Sequence, residues 1–368
     1  MFKYLLAFSM VPEIGPRKFE RLEEYFETLE EAWRASEEEL MNAGLSQKDI
    51  DSLSRTKNGS GLKRSLEQLE KENIVPISRK MNFKDFSGIN EDLFPENLKQ
   101  IPDRPFLIFC KGEAGLLKKH QLAVVGSRKP TSYGKMIMDK VVSRICLSGI
   151  AITSGMALGT DALAHKAALE NQCPTIAVLG NGLSEKVLAR AVNFGLSKEI
   201  VNKNGLLVSE YPPFSQANKS TFPARNRIIS GLSMGVLITE AGFGSGTLIT
   251  ARHALDQNRE IFAVPGNIFS PQSAGTNQLI QEGALAVTSA EDILRQLDWK
   301  QEPSREKEKE GFADELEARI YQNLFHEPQP IDKLALKCKL DISTISVKLS
   351  MMELKGIAKG VEGGYVRN

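Results

Sequence analysis

The chain has 368 residues and a formal net charge of +1, from 47 Lys and Arg against 46 Asp and Glu. This length allows two or three domains, and the charge balance excludes a polybasic coat protein and a disordered acidic tail. The four cysteines form no Cys-x-x-Cys pair and the four histidines are dispersed, so neither a disulfide framework nor a zinc site is indicated and a reduced, cytoplasmic setting is expected. The apolar run at residues 4–11 ends at Pro12 and is too short for a membrane span, so no membrane contact is expected.

The first 65 residues predict a small helical domain of the SAM or helix-hairpin-helix kind. After a turn at residues 11–16, apolar residues recur at helical spacing: Leu22, Tyr25, Phe26 and Leu29. Such a unit can bring backbone amides to a phosphate, but residues 1–64 carry 10 cations and 12 anions, a net of −2 (10 − 12). A packing or protein-contact role is therefore favoured over DNA binding, and residues 66–103 are interpreted as a connector.

Residues 104–297 predict an α/β domain with an extended Rossmann-like, mostly parallel sheet. Apolar, β-branched runs alternate with helical segments, which is typical of right-handed βαβ units. The runs lie at residues 106–109, 122–125, 150–154, 175–179, 206–209, 236–239, 261–264 and 284–287. The positive charge is concentrated here, because the domain has 20 Lys and Arg against 13 Asp and Glu, a net of +7 (20 − 13).

A loop that reads "GSRKPTSYG" follows the second of these runs, from Gly126 to Gly134. Its spacing fits neither the Gly-x-Gly-x-x-Gly of dinucleotide-binding folds nor a Walker A loop. Arg128 and Lys129 would lie beside a helix amino terminus, with Ser127 and Thr131 able to donate or cap, which suits a phosphodiester. The alternative is a solvated turn whose hydroxyl groups only cap the helix.

Two more glycine-containing loops follow predicted strands, at residues 154–161 and 242–247. Carboxyl ends of strands are where open α/β sheets bind ligands, so the three loops are expected to share one site. The first of the two begins with Ser154 and Gly155 and leads to a helix that carries Lys166, and the second contains Phe243 and Thr247.

Between these loops, Pro223 indicates a helix start, which would place Arg225 and Arg227 in the first turn. Cations there oppose the helix dipole, so an anion is expected beside them. Tyr133, Phe222 and Phe243 are candidates for stacking unpaired bases, although each taken alone also suits core packing.

An enzymatic alternative starts from residues 242–247, which are similar to the Pro-Gly-Gly-x-Gly-Thr loop of nucleoside-monophosphate phosphoribohydrolases. Those enzymes follow the loop with a glutamate, whereas Leu248 follows Thr247 here. Asp161 is expected to cap its helix and Glu240 to accept hydrogen bonds from loop amides, whereas His165 is expected to be packed or paired with an aspartate rather than to act as a general base. No catalytic residue, metal or cofactor is therefore expected, and the hydrolase stays the second hypothesis.

Residues 298–311 are charged and poor in apolar side chains, which predicts a linker. Residues 312–368 then predict a winged helix: helices at 315–325, 331–338 and 343–355, followed by a glycine-rich hairpin. This domain has 8 cations and 8 anions. Protein contact or dimerisation is therefore favoured over the reading of a DNA sequence.

The core segments resemble the DNA-processing protein A (DprA, also called Smf) family of single-stranded-DNA-binding recombination mediators. The resemblance is carried by "AVVGSRKPTSYG", "ITSGMALGTDALAHKAAL", "TIAVLGNGL", "FPARNRIISGLSMGVLITEAGFGSGTLITARHALDQNREIFAVPGNI" and "GTNQLIQEGALAVTS". The flanking "VPEIGPRKFERL" and the last 38 residues also resemble the family's helical module and winged helix.

The resemblance implies a homodimer that binds single-stranded DNA in a positive pocket and loads RecA recombinase onto it, in natural transformation, in recombinational repair or in both. It assigns the pocket to Gly126, Ser127, Arg128, Thr131, Tyr133, Gly134, Arg225, Asn226, Arg227, Gly244, Ser245 and Gly246. To these we add Lys129, Ser154, Gly155, Lys166, Phe243 and Thr247. The chain departs from the family pattern in two places. After "TIAVLGNGL" it has "SEKVLARAV" where an acidic residue and a Tyr-Pro pair are common. At Cys173-Pro174, where a basic residue is common, we expect Lys166 or Lys203 to replace that charge.

Overall fold

A computed structural model of the chain describes residues 1–84, 86, 88–299, 315–325, 328–361 and 363–367. The chain forms two compact units, Met1–Lys300 and Gln301–Asn368. Residues 300–311 of the predicted linker lie outside the described residues. Trp299 also falls in that predicted linker, but its indole NH donates to the carbonyl of Ser148 at 3.0 Å and its ring packs against a core cluster. The first unit therefore extends at least to Trp299.

Six helices form the amino-terminal part of the first unit, and capping residues fix the start of several. Thr28 caps one helix through the amide of Glu31, and Ser36 forms a reciprocal capping box with Glu39. The helices are α1 (Phe2–Ser9), α2 (Pro16–Tyr25), α3 (Leu29–Arg34), α4 (Glu37–Asn42), α5 (Gln47–Asn58) and α6 (Gly61–Lys71). The predicted helical region is thus present, and its assignment to a SAM or helix-hairpin-helix type stays a prediction.

The helices share one hydrophobic cluster with the sheet that follows. Phe19 in α2 stacks on Phe106, with ring centroids 3.9 Å apart and an interplanar angle of 13°. The same cluster extends to Leu179. Helix α6 runs through the predicted boundary at residue 65, and the predicted connector contributes a strand to the sheet. The predicted boundaries at residues 65 and 103 therefore do not coincide with breaks in packing.

Nine strands form the main sheet, in the order β1-β2-β6-β5-β4-β3-β7-β8-β9. They are β1 (Val75–Ser78), β2 (Leu107–Gly112), β3 (Gln121–Val125), β4 (Ala151–Ser154), β5 (Thr175–Leu179), β6 (Leu206–Ser209), β7 (Gly235–Ile238), β8 (Glu260–Ala263) and β9 (Leu285–Ala286). All pairs from β6 to β9 in this order are parallel, whereas β2 runs antiparallel to both β1 and β6. The predicted mostly parallel sheet is confirmed, with eight strands where they were expected and β1 in addition.

Helices cover both faces of the sheet. Leu122 and Val124 of β3 pack into one hydrophobic cluster, and Ala123 and Val125 pack into another, as the alternation of strand side chains requires. The helices are α7 (Glu96–Lys99), α8 (Ser132–Ile137), α9 (Ser143–Cys146), α10 (Thr160–Glu170), α11 (Glu185–Leu188), α12 (Phe194–Asn202), α13 (Thr221–Leu232), α14 (Gly246–Asp256), α15 (Ala274–Gln281) and α16 (Ala290–Gln296). A π-helical segment (Met138–Val142) joins α8 to α9, and 3-10 helices occupy Glu91–Leu93 and Ala114–Lys118.

The second unit is a three-helix bundle with a hairpin, as the sequence predicts. Its elements are α17 (Glu315–Asn323), α18 (Ile331–Cys338), α19 (Ile342–Leu354), β10 (Ala358–Val361) and β11 (Gly364–Arg367). Ile345, Leu349 and Met352 recur on one side of α19 and are fully buried in the core of this unit. None of the helices in the described part of the chain has the length and apolarity that a membrane span requires.

Candidate nucleic-acid interface

A cavity of about 690 Å³ is bounded by the loop after β3 and by the starts of α13 and α14. Among the residues that the sequence singles out, its walls include Gly126, Ser127, Arg128, Arg225, Asn226, Ser245, Gly246 and Thr247. Ala157 and Asp161, from the loop after β4, also line the cavity, so all three of the predicted loops contribute to it. The remaining residues of the predicted pocket do not line the cavity: some of them support its walls, and others lie outside it.

Arg128 and Lys219 are the exposed cations in the wall of the cavity. Neither side chain has a hydrogen bond or ion pair with any residue that the structure describes. Lys129 is also exposed, on the outer side of the same loop, where its amide donates to Ser127 Oγ at 3.1 Å. No carboxylate among the described residues pairs with Arg128 or Lys219, so both positive charges are available to a ligand at the rim of the cavity.

Arg225 lines the cavity but is buried rather than free. Its Nη1 donates to the carbonyl oxygens of Gly155, at 2.5 Å, and Val178. Burial lowers the pKa of Arg225 to about 10, and the nearby Asp161 carboxylate opposes part of that shift. Arg225 Nε is buried without a partner among the described residues. Arg225 therefore supports the cavity wall and contributes positive potential to it.

Arg227 does not line the cavity, which corrects its predicted role as a phosphate contact. Its Nη2 and Nη1 donate to the two carboxylate oxygens of Glu210 at 2.6 and 2.9 Å, and its Nε donates to the carbonyl of Asp103 at 3.0 Å. Burial tends to lower the pKa of Arg227, but the Glu210 carboxylate outweighs it and the pKa is raised. Arg227 is thus a structural partner of Glu210.

The start of α13 also differs from the prediction. The helix begins at Thr221, two residues before Pro223, so Arg225 and Arg227 lie beyond its first turn. Asn218 sets the start, because its Oδ1 accepts from the amides of Ser220 and Thr221 at 2.8 and 3.0 Å. This earlier start places two further residues on the cavity wall, Lys219 and Phe222.

Sequence reasoning did not select Lys219 for the site and gave Phe222 only as a stacking candidate. The available signal was the capping pattern Asn218-Lys219-Ser220, which marks a helix amino terminus better than Pro223 does.

The loop before α14 forms another part of the cavity wall. Ser245 caps the helix through the amide of Thr247 at 3.2 Å, and Thr247 Oγ1 donates to the carbonyl of Gly126 at 3.0 Å. The last bond ties this loop to the loop after β3. Phe243 and Gly244 lie just outside the cavity, and Phe243 is 79% exposed.

Glu240 organises the outer half of the loop after β3. Its carboxylate accepts from the amide of Thr131 at 2.9 Å and from the Thr131 hydroxyl. A Cβ on Gly134 would meet Glu240 Oε2 at 2.3 Å, so only glycine fits there. Tyr133 donates from its hydroxyl to the carbonyl of Pro265 at 2.9 Å. Thr131 and Gly134 therefore hold the loop, as expected for the loop-amide role of Glu240.

The predicted residues after β4 have supporting positions. Ser154 is fully buried and donates to the carbonyl of Val124 at 2.6 Å, so its side chain is not available to a ligand. The carbonyl of Gly155 accepts a hydrogen bond from Arg225. Lys166 is exposed on α10 and does not line the cavity. Lys203 pairs with Glu199 at 2.9 Å.

His165 and Asp161 are also accounted for by packing. His165 is fully buried, with Nδ1 2.7 Å from Thr175 Oγ1, and burial together with the charge of Arg225 lowers the pKa of His165 to about 3. It is a packed, neutral histidine, as predicted. Asp161 does not cap α10, which corrects the prediction, because the cap residue is Gly159 and the helix has no side-chain cap. Asp161 Oδ2 instead accepts from the amide of Ala157 at 3.3 Å, and burial raises the pKa of Asp161 against the opposing effect of Arg225.

Gly159 fixes how closely the loops after β3 and β4 approach each other. It has φ +83°, and a Cβ there would lie 2.5 Å from the backbone of Ser127 and Arg128. The amide of Thr160 donates to the carbonyl of Ser127 at 3.0 Å. The position of the Arg128 backbone therefore depends on a glycine in the neighbouring loop.

Comparisons with known proteins identify related chains. A model of the family described as DNA recombination-mediator protein A matches residues 85–298, and a model of the DprA winged helix domain matches residues 301–364. Protein Smf of Escherichia coli K12 is 39% identical over 285 residues, which cover 76% of this chain and 76% of that protein. DNA processing protein DprA of Bacillus subtilis 168 is 42% identical over 226 residues, 61% of this chain and 71% of that protein.

Two solved structures are also similar. DNA processing protein A from Streptococcus pneumoniae has a TM-score of 0.66 and 34% identity, with 80% of this chain and 98% of that chain covered. DNA processing protein A from Helicobacter pylori, whose structure describes a single-stranded DNA binding mode, has a TM-score of 0.51 and 29% identity. That match covers 56% of this chain and 94% of the Helicobacter chain.

Proposed function

Because the chain belongs to the DNA recombination-mediator protein A family, also known as DprA or Smf, we propose that it binds single-stranded DNA in the 690 Å³ cavity. The binding mode described for the Helicobacter pylori relative supports this choice of ligand. DNA processing and recombination mediation in the cytoplasm are the cellular roles that we propose with it.

The observation that carries the proposal is the unpaired charge of Arg128 and Lys219 at one rim. The helices α13 and α14 begin at the same cavity, and helix amino termini carry partial positive charge that favours phosphate. Phe222 adds an aromatic face to the wall. Cations with an aromatic face suit a flexible polynucleotide held without sequence preference.

Arg128→Ala tests the proposal. We expect the affinity for oligo-dT to fall at least about tenfold, because hydrogen bonds to charged groups contribute about 1.5–3 kcal/mol. The slope of log K against log salt should become shallower by about 0.7, the value for one lost single-strand phosphate contact. Fluorescence anisotropy at several salt concentrations measures both quantities.

Lys119→Ala is the matched control, because Lys119 is an exposed cation just before the amino end of β3. It should leave the affinity and the slope unchanged. If wild type and Arg128→Ala bind oligo-dT equally at every salt concentration, the cavity is not the DNA-binding site.

We further propose that the protein acts as a homodimer that loads RecA onto the bound strand, as the family resemblance implies. Light scattering tests the dimer. RecA filament formation at limiting RecA concentration tests loading, and Arg128→Ala should abolish the stimulation. A wild-type protein that binds the strand but leaves the rate of filament formation unchanged would contradict the RecA role alone.

The proposed mechanism is binding without covalent chemistry. Glu240 is held by Thr131, and the Asp161 carboxylate is held by backbone amides beside Arg225, so both are engaged in support of the loops. His165 is neutral and buried. Incubation with nucleoside monophosphates, followed by chromatography for released base, tests the hydrolase alternative, and we expect no base release.

A further inference from the structure

A loop at residues 265–271, after β8, presents two adjacent apolar side chains to solvent. Ile268 is 79% exposed and Phe269 is 88% exposed. A single exposed hydrophobic residue needs no explanation, but two large ones at the tip of a loop beside a charged cavity suggest a ligand with an apolar face.

The loop is held in place by hydrogen bonds. The side chain of Asn277 clamps Gly266, accepting from its amide at 3.1 Å and donating to its carbonyl at 3.0 Å. The amide of Phe269 donates to Asn267 Oδ1 at 2.9 Å. Phe269 is therefore displayed on a fixed backbone, which lowers the entropy cost of binding against its ring.

Both ends of the loop are tied to the elements that form the cavity. Tyr133 donates to the carbonyl of Pro265 at 2.9 Å. Gln272, which lines the cavity, accepts from Ser127 Oγ at 3.4 Å through its side chain and from the amide of Ala241 at 2.8 Å through its carbonyl. The loop thus adjoins the segment that carries Arg128 and Lys129.

We propose that Phe269, with Ile268 beside it, is a second base platform that receives an unpaired base of the strand outside the cavity. The proposal rests on the proposed function. Bases have apolar faces that stack on aromatic rings, and the adjoining Arg128 and Lys129 supply positive charge for the phosphates between the bases. Phe243 is exposed on the loop between Ala241 and Ser245, and that loop is joined to the residue after loop 265–271 by the bond from the Ala241 amide to the Gln272 carbonyl.

The test is Phe269→Ala with oligo-dT lengths from about 4 to about 16 nucleotides, the range of site sizes for single-strand-binding folds. The platform predicts that the longer oligonucleotides lose at least about fivefold in affinity, the effect of one lost stacking contact, while the shortest lose nothing. Longer oligonucleotides with abasic sites in place of every base should bind Phe269→Ala and wild type equally.

Leu147→Ala is the control, because Leu147 is an exposed apolar residue on the side of the sheet where β4 begins. Phe269→Trp should retain the affinity and gain a fluorescence signal that DNA quenches. If Phe269→Ala binds every length as wild type does while Arg128→Ala is impaired, the cavity stands and the platform is wrong. If wild type binds no oligonucleotide, the proposed function itself fails. A Phe269→Ala defect confined to RecA loading would assign the loop to a protein partner instead.

Discussion

Arg225 and Arg227 show how far a single residue can be interpreted from the sequence. Both are arginines near a helix start, and both are predicted phosphate contacts. Two residues along an α-helix correspond to a rotation of about 200°, so the two side chains point in nearly opposite directions. The partner of Arg227 is Glu210, 17 residues earlier, and no local pattern reveals that pairing. Arg128 could be placed at the cavity from the sequence because it lies in the loop that follows the buried strand β3.

Arg227→Ala should destabilise the protein rather than weaken DNA binding directly. Removal of one partner of a buried ion pair costs about 3–5 kcal/mol, because the Glu210 carboxylate would stay in its site without a counter-ion. Urea unfolding measures the loss. The double variant with Arg227→Ala and Glu210→Ala should recover part of the lost stability. If Arg227→Ala alone is as stable as wild type, the structural role of Arg227 is contradicted.

The pKa of His165 predicts a pH dependence of stability. The pKa is lowered from 6.5 to about 3 in the folded protein, so the unfolded chain binds the extra proton as the pH falls below 6.5. The free energy of unfolding should therefore fall with decreasing pH between 6.5 and 5, by up to about 1.4 kcal/mol per pH unit from this group. His165→Asn, which keeps a polar atom toward Thr175, should show a shallower slope in urea titrations. Identical slopes would mean that His165 titrates normally.

At the scale of elements, eight of the nine strands were predictable, including β9 at one edge of the sheet, whereas β1 at the other edge was not. Most of the eight expected runs are apolar and β-branched because they are buried between helical layers, although β9 is only partly buried. Strand β1 contains Pro76, which cannot donate to a ladder and is tolerated only at an edge. The start of α13 was misplaced because the prediction relied on Pro223, whereas the side chain of Asn218 accepts the first amides of the helix.

Gly159→Ala should weaken oligo-dT binding although residue 159 itself is not a predicted contact. Its Cβ would push against the backbone of Ser127 and Arg128, displacing the Arg128 loop. Gly149→Ala is the matched control, because Gly149 also has a positive φ, +80°, but a Cβ there meets nothing within 4 Å. Anisotropy should show a loss only for Gly159→Ala, and equal affinities would mean that the loop accommodates the methyl group.

At the scale of the whole molecule, we expect the winged helix not to read a DNA sequence. The exposed side of α19 is apolar rather than cationic, with large side chains at Val347, Met351 and Leu354. A chain that ends after residue 299 should therefore bind oligo-dT within about twofold of the full chain, and Arg128→Ala should impair both equally. A large loss of affinity on truncation would assign DNA contacts to the second unit.

The stack of Phe19 on Phe106 constrains how this protein can diverge. Phe19 belongs to α2 and Phe106 immediately precedes β2, and both rings pack in the same hydrophobic cluster. A chimera that takes its helices from one homologue and its sheet from another must inherit both rings as a matched pair. The two regions are therefore expected to evolve together, as one inherited block.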